Sequence, residues 1–254
     1  ITLNNPNTGG TINLNSSFEL IQSSNTGSVG QISFNGTINI GDSSYNYNNT
    51  TTNNTYGVTA TNWIESLRAQ TAGGITLNGN ISAYNSIVLQ GYISQIAPAV
   101  SISTQTYATN RGIISLGGTA TANTALYNAS NVNATLNLNF AGNLVLGSNF
   151  NISAPTGFAY NLNWQAVNAS AAVNFSNGGI KINLGGGTLT MVADSMTLAG
   201  TGNSITSGTV ANPSGAIIID SYTPSLSVGV GGAGFNSLQL PQGLWFGTNV
   251  VFQP

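Results

Sequence analysis

Short apolar runs of alternating residues, bracketed by glycine, recur along the whole chain, and few folds accommodate that pattern. Between Gly178 and Ser221, Ile180, Ile182 and Leu184 alternate with Lys181 and Asn183. Leu189 and Met191 alternate with Thr188 and Thr190, and Ile217 and Ile219 follow the same rule. A period of two sends one row of side chains to one face of a strand. The bracketing glycines end each strand after about five residues in a tight corner. Further copies run from Gly10 to Leu14, Gly36 to Ile40, Gly74 to Leu77, Gly112 to Leu116 and Gly142 to Leu146. Their spacing is uneven, which describes a degenerate repeat with insertions, as solenoids tolerate. The pattern predicts one all-β domain over residues 1–254, built as stacked coils of a parallel β-helix. The alternative is a β-sandwich or jelly-roll subunit completed by a donated strand.

Charge narrows the function classes. Only 3 % of the residues are charged, against about 25 % in ordinary domains. The surface is therefore built from Asn, Thr, Ser, Gly and Gln. A net charge of −2 over 254 residues gives little repulsion between copies. Either association is the purpose of such a surface, or glycans cover it. His and Cys are both absent, which removes zinc sites, disulfides and Cys or His nucleophile–base pairs. Arg68, Arg111 and Lys181 are the whole cationic supply, too little for a nucleic-acid or anionic-membrane surface. No apolar run reaches the roughly 20 residues of a membrane helix. No basic-then-apolar leader stands at Ile1, so the expectation is a mature form or an excised segment.

Other stretches carry their own expectations. Residues 42–56 are polar and low in complexity and read as a loop. Asn62 to Thr71 places Ile64, Leu67 and Arg68 at helical spacing behind a capping residue, which predicts a short helix. Alternation at Tyr160, Leu162 and Trp164 suggests an edge or capping sheet. Ile1 to Asn15 reads as an opening strand pair around Asn5-Pro6-Asn7. The apolar tail at 238–254 is an expected intersubunit strand, through Leu244, Trp245, Phe246, Val250, Val251 and Phe252. Its expected acceptor is the N-terminal stretch with Ile1, Leu3, Ile12 and Leu14.

The stretches QISFNGTINIG (31–41), GGITLNGNIS (73–82), AGNLVLGSNFNIS (141–153) and GGTLTMVADSMTLAGTGNSITSGTV (186–210) resemble bacterial surface proteins of the filamentous-haemagglutinin and autotransporter-passenger type. Asn5-Pro6-Asn7 and Asn212-Pro213-Ser214-Gly215 are similar to the Asn-Pro turns of that family's secretion domain. The charge content is lower than in those passengers. It is similar to that of Thr- and Asn-rich extracellular filament subunits of bacteria and archaea. The resemblance implies a right-handed β-helix, export, and service as an adhesin or surface fibre.

Candidate sites are few. Asp194 and Asp220 could bind Ca²⁺ from adjacent coils, or accept hydrogen bonds from turn N–H groups. Asn-x-Ser/Thr occurs at Asn15, Asn35, Asn48, Asn49, Asn53, Asn80, Asn128, Asn133, Asn151, Asn168 and Asn174. Asn49, Asn80 and Asn151 are the glycosylation candidates, and stacking of amides into side-chain ladders is the alternative use of so many Asn. Trp63, Trp164 and Trp245 could form a sugar platform or cap the core. No catalytic residue and no cofactor is assigned. The expectation is a non-enzymatic extracellular or cell-surface filament subunit that partners itself. The alternative is an adhesin passenger that binds a surface or glycan ligand.

Overall fold

The structure is a computed structural model that describes residues 2–4, 11–14, 18–21, 32–40, 67–71, 74–105, 112–117, 125–175, 177–197, 202–207, 215–230, 237–240, 245–246 and 250–252. Its regular structure is all strand. The first coil is β1 (Thr2–Asn4), β2 (Thr11–Leu14) and β3 (Phe18–Ile21), and the second is β4 (Ile32–Asn35), β5 (Thr37–Ile40) and β6 (Leu67–Gln70). The third is β7 (Ile75–Asn78), β8 (Ile81–Ala83) and β9 (Ile87–Gln90), and the fourth is β10 (Tyr92–Gln95), β11 (Ala99–Thr104) and β12 (Ile114–Leu116). The fifth is β13 (Ala125–Asn128), β14 (Ala134–Phe140) and β15 (Asn143–Leu146), and the sixth is β16 (Asn151–Ser153), β17 (Tyr160–Ala166) and β18 (Ala172–Asn174). The seventh is β19 (Lys181–Asn183), β20 (Leu189–Val192) and β21 (Ser195–Thr197). Beyond it come β22 (Ser204–Thr206), β23 (Ile217–Asp220), a side ribbon of β24 (Ser227–Val230) with β25 (Ser237–Leu240), and then β26 (Trp245–Phe246) and β27 (Val250–Phe252).

Every third strand pairs in parallel with the one a coil earlier. Sheet A runs from β1 through β4 to β26, sheet B from β2 through β5 to β27, and sheet C from β3 through β6 to β21. This is a parallel β-helix, and the sandwich alternative is overturned. Nine strands at a spacing of about 4.8 Å make a rod about 40 Å long.

Ladders of inward side chains form the core, and one from each sheet shows the pattern. On sheet A, Ile32, Ile75, Ile93, Leu126, Ile152, Ile182 and Ile205 stand in one register row. Ile38, Ile81, Ile102, Leu138, Trp164, Met191 and Ile219 form the row on sheet B. Leu67, Ile87, Ile114, Leu144, Val173 and Met196 form that on sheet C. All of these side chains are buried. Like stacks on like because the backbone ladder fixes register and a one-residue slip would expose the whole row. Trp164 meets Phe175 edge-to-face, with ring centroids 5.2 Å apart. Its Nε1 is the one buried side-chain polar atom without a hydrogen-bond partner among the described residues.

Coil length varies freely while register holds. Ile75 pairs with Ile93, 18 residues on, whereas Phe18 pairs with Leu67, 49 residues on. Corners hold the stack where strands cannot. Gly36 turns with φ of 89°, and a Cβ placed on Gly79 one coil above would lie 2.0 Å from the Gly36 carbonyl oxygen. Only glycine lets those two corners sit that close.

Three expectations need correction. Residues 67–70 are strand β6, not helix, because Leu67 and Ala69 must both face the core while the backbone pairs with β3 and β9. Residues 62–66 and the 42–56 stretch lie outside the described residues. Tyr160, Leu162 and Trp164 belong to a central strand of sheet B between β14 and β20, not to a cap. The opening strands β1 and β2 do not pair with each other; each starts a different sheet.

A buried polar cluster closes the corner between sheets A and B. The Tyr160 hydroxyl donates to Gln95 Oε1 at 2.8 Å, and Gln95 Nε2 donates to the Ala97 and Thr135 carbonyls at 2.9 Å each. Burial pushes the Tyr160 phenol well above the ordinary value of 10. The folded chain thus holds this proton longer than the unfolded chain does. Its contribution is complete below about pH 10 and is lost as pH rises further. With His and Cys absent, stability from urea titrations should be flat between about pH 6 and 9 and fall above about 10. Tyr160→Phe should cost about 1–3 kcal/mol at neutral pH, by stranding Gln95. It should also flatten the alkaline decline by up to about 1.4 kcal/mol per pH unit.

Candidate assembly surfaces

Topology sets the chain's two apolar ends at opposite ends of the rod. Strands β1, β2 and β3 are outermost on one side, and β26 and β27 are outermost in sheets A and B on the other. The tail strands pair within the chain. Trp245 and Phe246 lie beside Ser204 and Ile205, and Val250 to Phe252 lie beside Ile217 to Ile219. The expected intersubunit residues Trp245, Phe246, Val250, Val251 and Phe252 therefore form the last coil of their own solenoid. Leu3, Ile12 and Leu14 belong to its first coil. Ile1 and Leu244 lie outside the described residues. Each outermost strand has one paired edge and, among the described residues, one edge without a strand beside it. Exposed edges are usually blunted by charge or proline. Here TLN, TINL, WF and VVF contain neither; only β3, with Glu19, carries a charge.

The lateral faces are stacked amides and hydroxyls. Asn163 Nδ2 donates to Asn137 Oδ1 at 2.8 Å, and Asn137 Nδ2 donates to Ser101 Oγ at 3.3 Å, linking three successive coils of sheet B. Ser82 Oγ donates to Asn39 Oδ1 at 2.6 Å in the same sheet. Asn78 Nδ2 reaches Asn35 Oδ1 at 3.5 Å at the corner. An amide both donates and accepts, so it can stack on its own kind without loss. A charge cannot, and the few charges present have compatible neighbours in register. Glu19 pairs with Arg68, and Arg68 pairs on its other side with Val88. Lys181 stands between Asn151 and Ser204, and Asp220 stands beside Val192. Arg68 and Val88 are buried although their neighbours Leu67, Ala69, Ile87 and Leu89 fill the core side. The Arg68 guanidinium donates to Gln90 Oε1 at 3.2 Å.

The carboxylates proposed for Ca²⁺ serve turns. Asp194 Oδ1 accepts the Thr223 N–H at 2.7 Å, and its Oδ2 accepts the Thr223 hydroxyl. Asp220 Oδ1 accepts the Ser221 N–H at 2.8 Å. The two lie on successive coils but out of register, since Asp220 pairs with Val192. Among the described residues, no three or more His, Cys, Asp or Glu side chains gather into a metal-binding group.

Sequon asparagines divide by burial. Asn128 is fully buried; its Nδ2 donates to the Val132 carbonyl, and its Oδ1 accepts from Ser130, so it is closed to modification in the fold. Asn133 Oδ1 accepts the Ala159 N–H at 2.8 Å, one coil away. Asn80 and Asn151 are exposed; Asn80 Oδ1 accepts the Ser101 N–H, and Asn151 Nδ2 makes one long contact to the Asn149 carbonyl. Asn49 lies outside the described residues. Trp164 is buried in the core, so no surface platform includes it; Trp63 lies outside the described residues. Sequence reading passed over exposed Tyr92 and half-buried Tyr127, which meet on the outside of sheet A. Their signal was alternation, because buried Ile93 and Leu126 turn their neighbours outward.

No protein-family model, curated protein or solved structure matches this chain. No helix among the described residues is long and apolar enough to cross a membrane.

Lys at Asn137 or Asn163 alone should be nearly neutral, since each faces outward. Both together should show an unfavourable coupling of about 0.5–1 kcal/mol at low salt, fading as salt is raised. A double-mutant cycle in urea checks it.

Proposed function

We propose that this chain is a non-enzymatic structural subunit of an extracellular filament or surface fibre, with copies joined coil to coil at the ends of the solenoid. The observation that carries this reading is the composition of the outermost described strands. Four outermost strands have neither charge nor proline. A second copy placed on such an end continues the parallel ladders of sheets A and B and the core rows they carry. Backbone bonds add about 0.5–1.5 kcal/mol each, and burial of the apolar end adds more. A net charge of −2 offers little opposition. The mechanism is that of the fold itself, repeated between chains instead of within one.

A second reading has its own support. The stacked Asn, Ser and Thr of sheet B form a long uncharged lateral face, suited to a rod that displays a surface as an adhesin passenger does. The two readings differ in the dependence of mass on concentration. Sedimentation should show mass growing with concentration for the filament subunit. Phe252→Lys in β27, in register with buried Ile219, and Ile12→Lys in β2 should each block growth, while Asn163→Lys on the lateral face should not. Constant monomer mass for the unaltered chain, or growth that both end substitutions leave untouched, would favour the adhesin reading.

A further inference from the structure

Outward positions on sheet A carry mostly small polar residues. On sheet A they are Ser33 and Asn35, Thr76 and Asn78, Asn151 and Ser153, Asn183, and Ser204 and Thr206, with Lys181 the sole charge. Tyr92 and Tyr127 break the rule together. Tyr92 opens β10 and faces out because Ile93 faces in; Tyr127 faces out between buried Leu126 and Asn128. They are diagonal neighbours, since Tyr92 pairs with Ala125 and Ser94 with Tyr127. Their ring centroids lie 4.8 Å apart at 40°. Tyr92 is 40 % exposed, and the core gains nothing from it.

The surroundings make a shelf. Next to Tyr92 are Gly74, in contact with its backbone, and Ala125 in register. Tyr127 is flanked in register by Ser94 and Ser153, and exposed Asn151 follows Ala125 in its row. An aromatic face thus stands above small neighbours, braced by its partner ring. Ser153 and Asn151 lie one strand beyond Tyr127 and two strands from Tyr92. These positions carry no charge themselves; Lys181, in register with Asn151, is the nearest one. That combination suits a ligand with an apolar C–H face and a rim of neutral hydroxyls.

We propose that the Tyr92–Tyr127 pair is a binding site for a neutral saccharide, with a pyranose face lying on the Tyr92 ring and its hydroxyls meeting Asn151 and Ser153. The site lies on the side of the rod, so it is compatible with a free rod or with a fibre. Burial and the Tyr127 phenol push the Tyr92 phenol up to about 12, so the ring remains neutral and binding is level from pH 6 to 10.

The test is calorimetric titration of the full chain with chitotetraose, cellotetraose and maltotetraose, with a sulfated heparin tetrasaccharide as the charged comparison. At least one neutral tetrasaccharide should bind. Tyr92→Ala should weaken it at least tenfold, Tyr92→Phe should weaken it less than threefold, and the heparin fragment should not compete. Unchanged urea midpoints verify that the variants fold. Absence of binding by all three neutral sugars, undiminished binding by Tyr92→Ala, or competition by heparin would overturn the proposal.

Discussion

The hydrogen-bond ladder between successive coils is the constraint on which the structure depends. It places every strand residue about 4.8 Å from the residue at the same position one coil above and one below. Whatever stands in a strand must tolerate its own likeness at that distance. Ile and Leu do so inside, where Ile75, Ile93, Ile152 and Ile182 share one row. Asn and Ser do so outside, because each donates and accepts. Two like charges directly opposite each other on adjacent coils destabilise every such pair, by about 0.5–1 kcal/mol at an outward position. The scarcity of charge is therefore a property of the architecture before it is a property of the surface. Glu19 beside Arg68, and Lys181 between Asn151 and Ser204, are the arrangements the ladder permits.

The same ladder has no internal reason to stop. A globular core closes on itself, whereas a stack of coils presents at each end the row it would have paired with next. Strands rich in alternating aliphatics and free of charge make that end a template. Under the proposed function, a joint between copies would obey the same rule as a joint between coils. Sheet B carries amide and hydroxyl links between coils on its outer face, and an outward position can vary without disturbing the core, as the tyrosine pair on sheet A shows.

Much of this was legible in the sequence. The alternation of Ile180, Ile182 and Leu184 with Lys181 and Asn183 is the observed pattern of burial, and Asn35-Gly36 is a corner. Register between coils was not legible, because coil length ranges widely while the strands themselves look alike. That hid the meeting of Tyr92 with Tyr127, 35 residues apart, and the offset between Asp194 and Asp220. It also hid β6, where helical spacing at Leu67 and Arg68 yielded to the demand for a third-sheet strand facing Leu89 and Ile87. Local pattern identifies strands; only the stack decides which side chains become neighbours.

Cryo-electron microscopy of concentrated native material tests the central claim most directly. Fibres in which the 4.8 Å strand repeat runs along the axis and continues unbroken across every joint between copies are the predicted result. Separate rods at all concentrations, or fibres whose copies touch only side to side with the ladders interrupted, would contradict it.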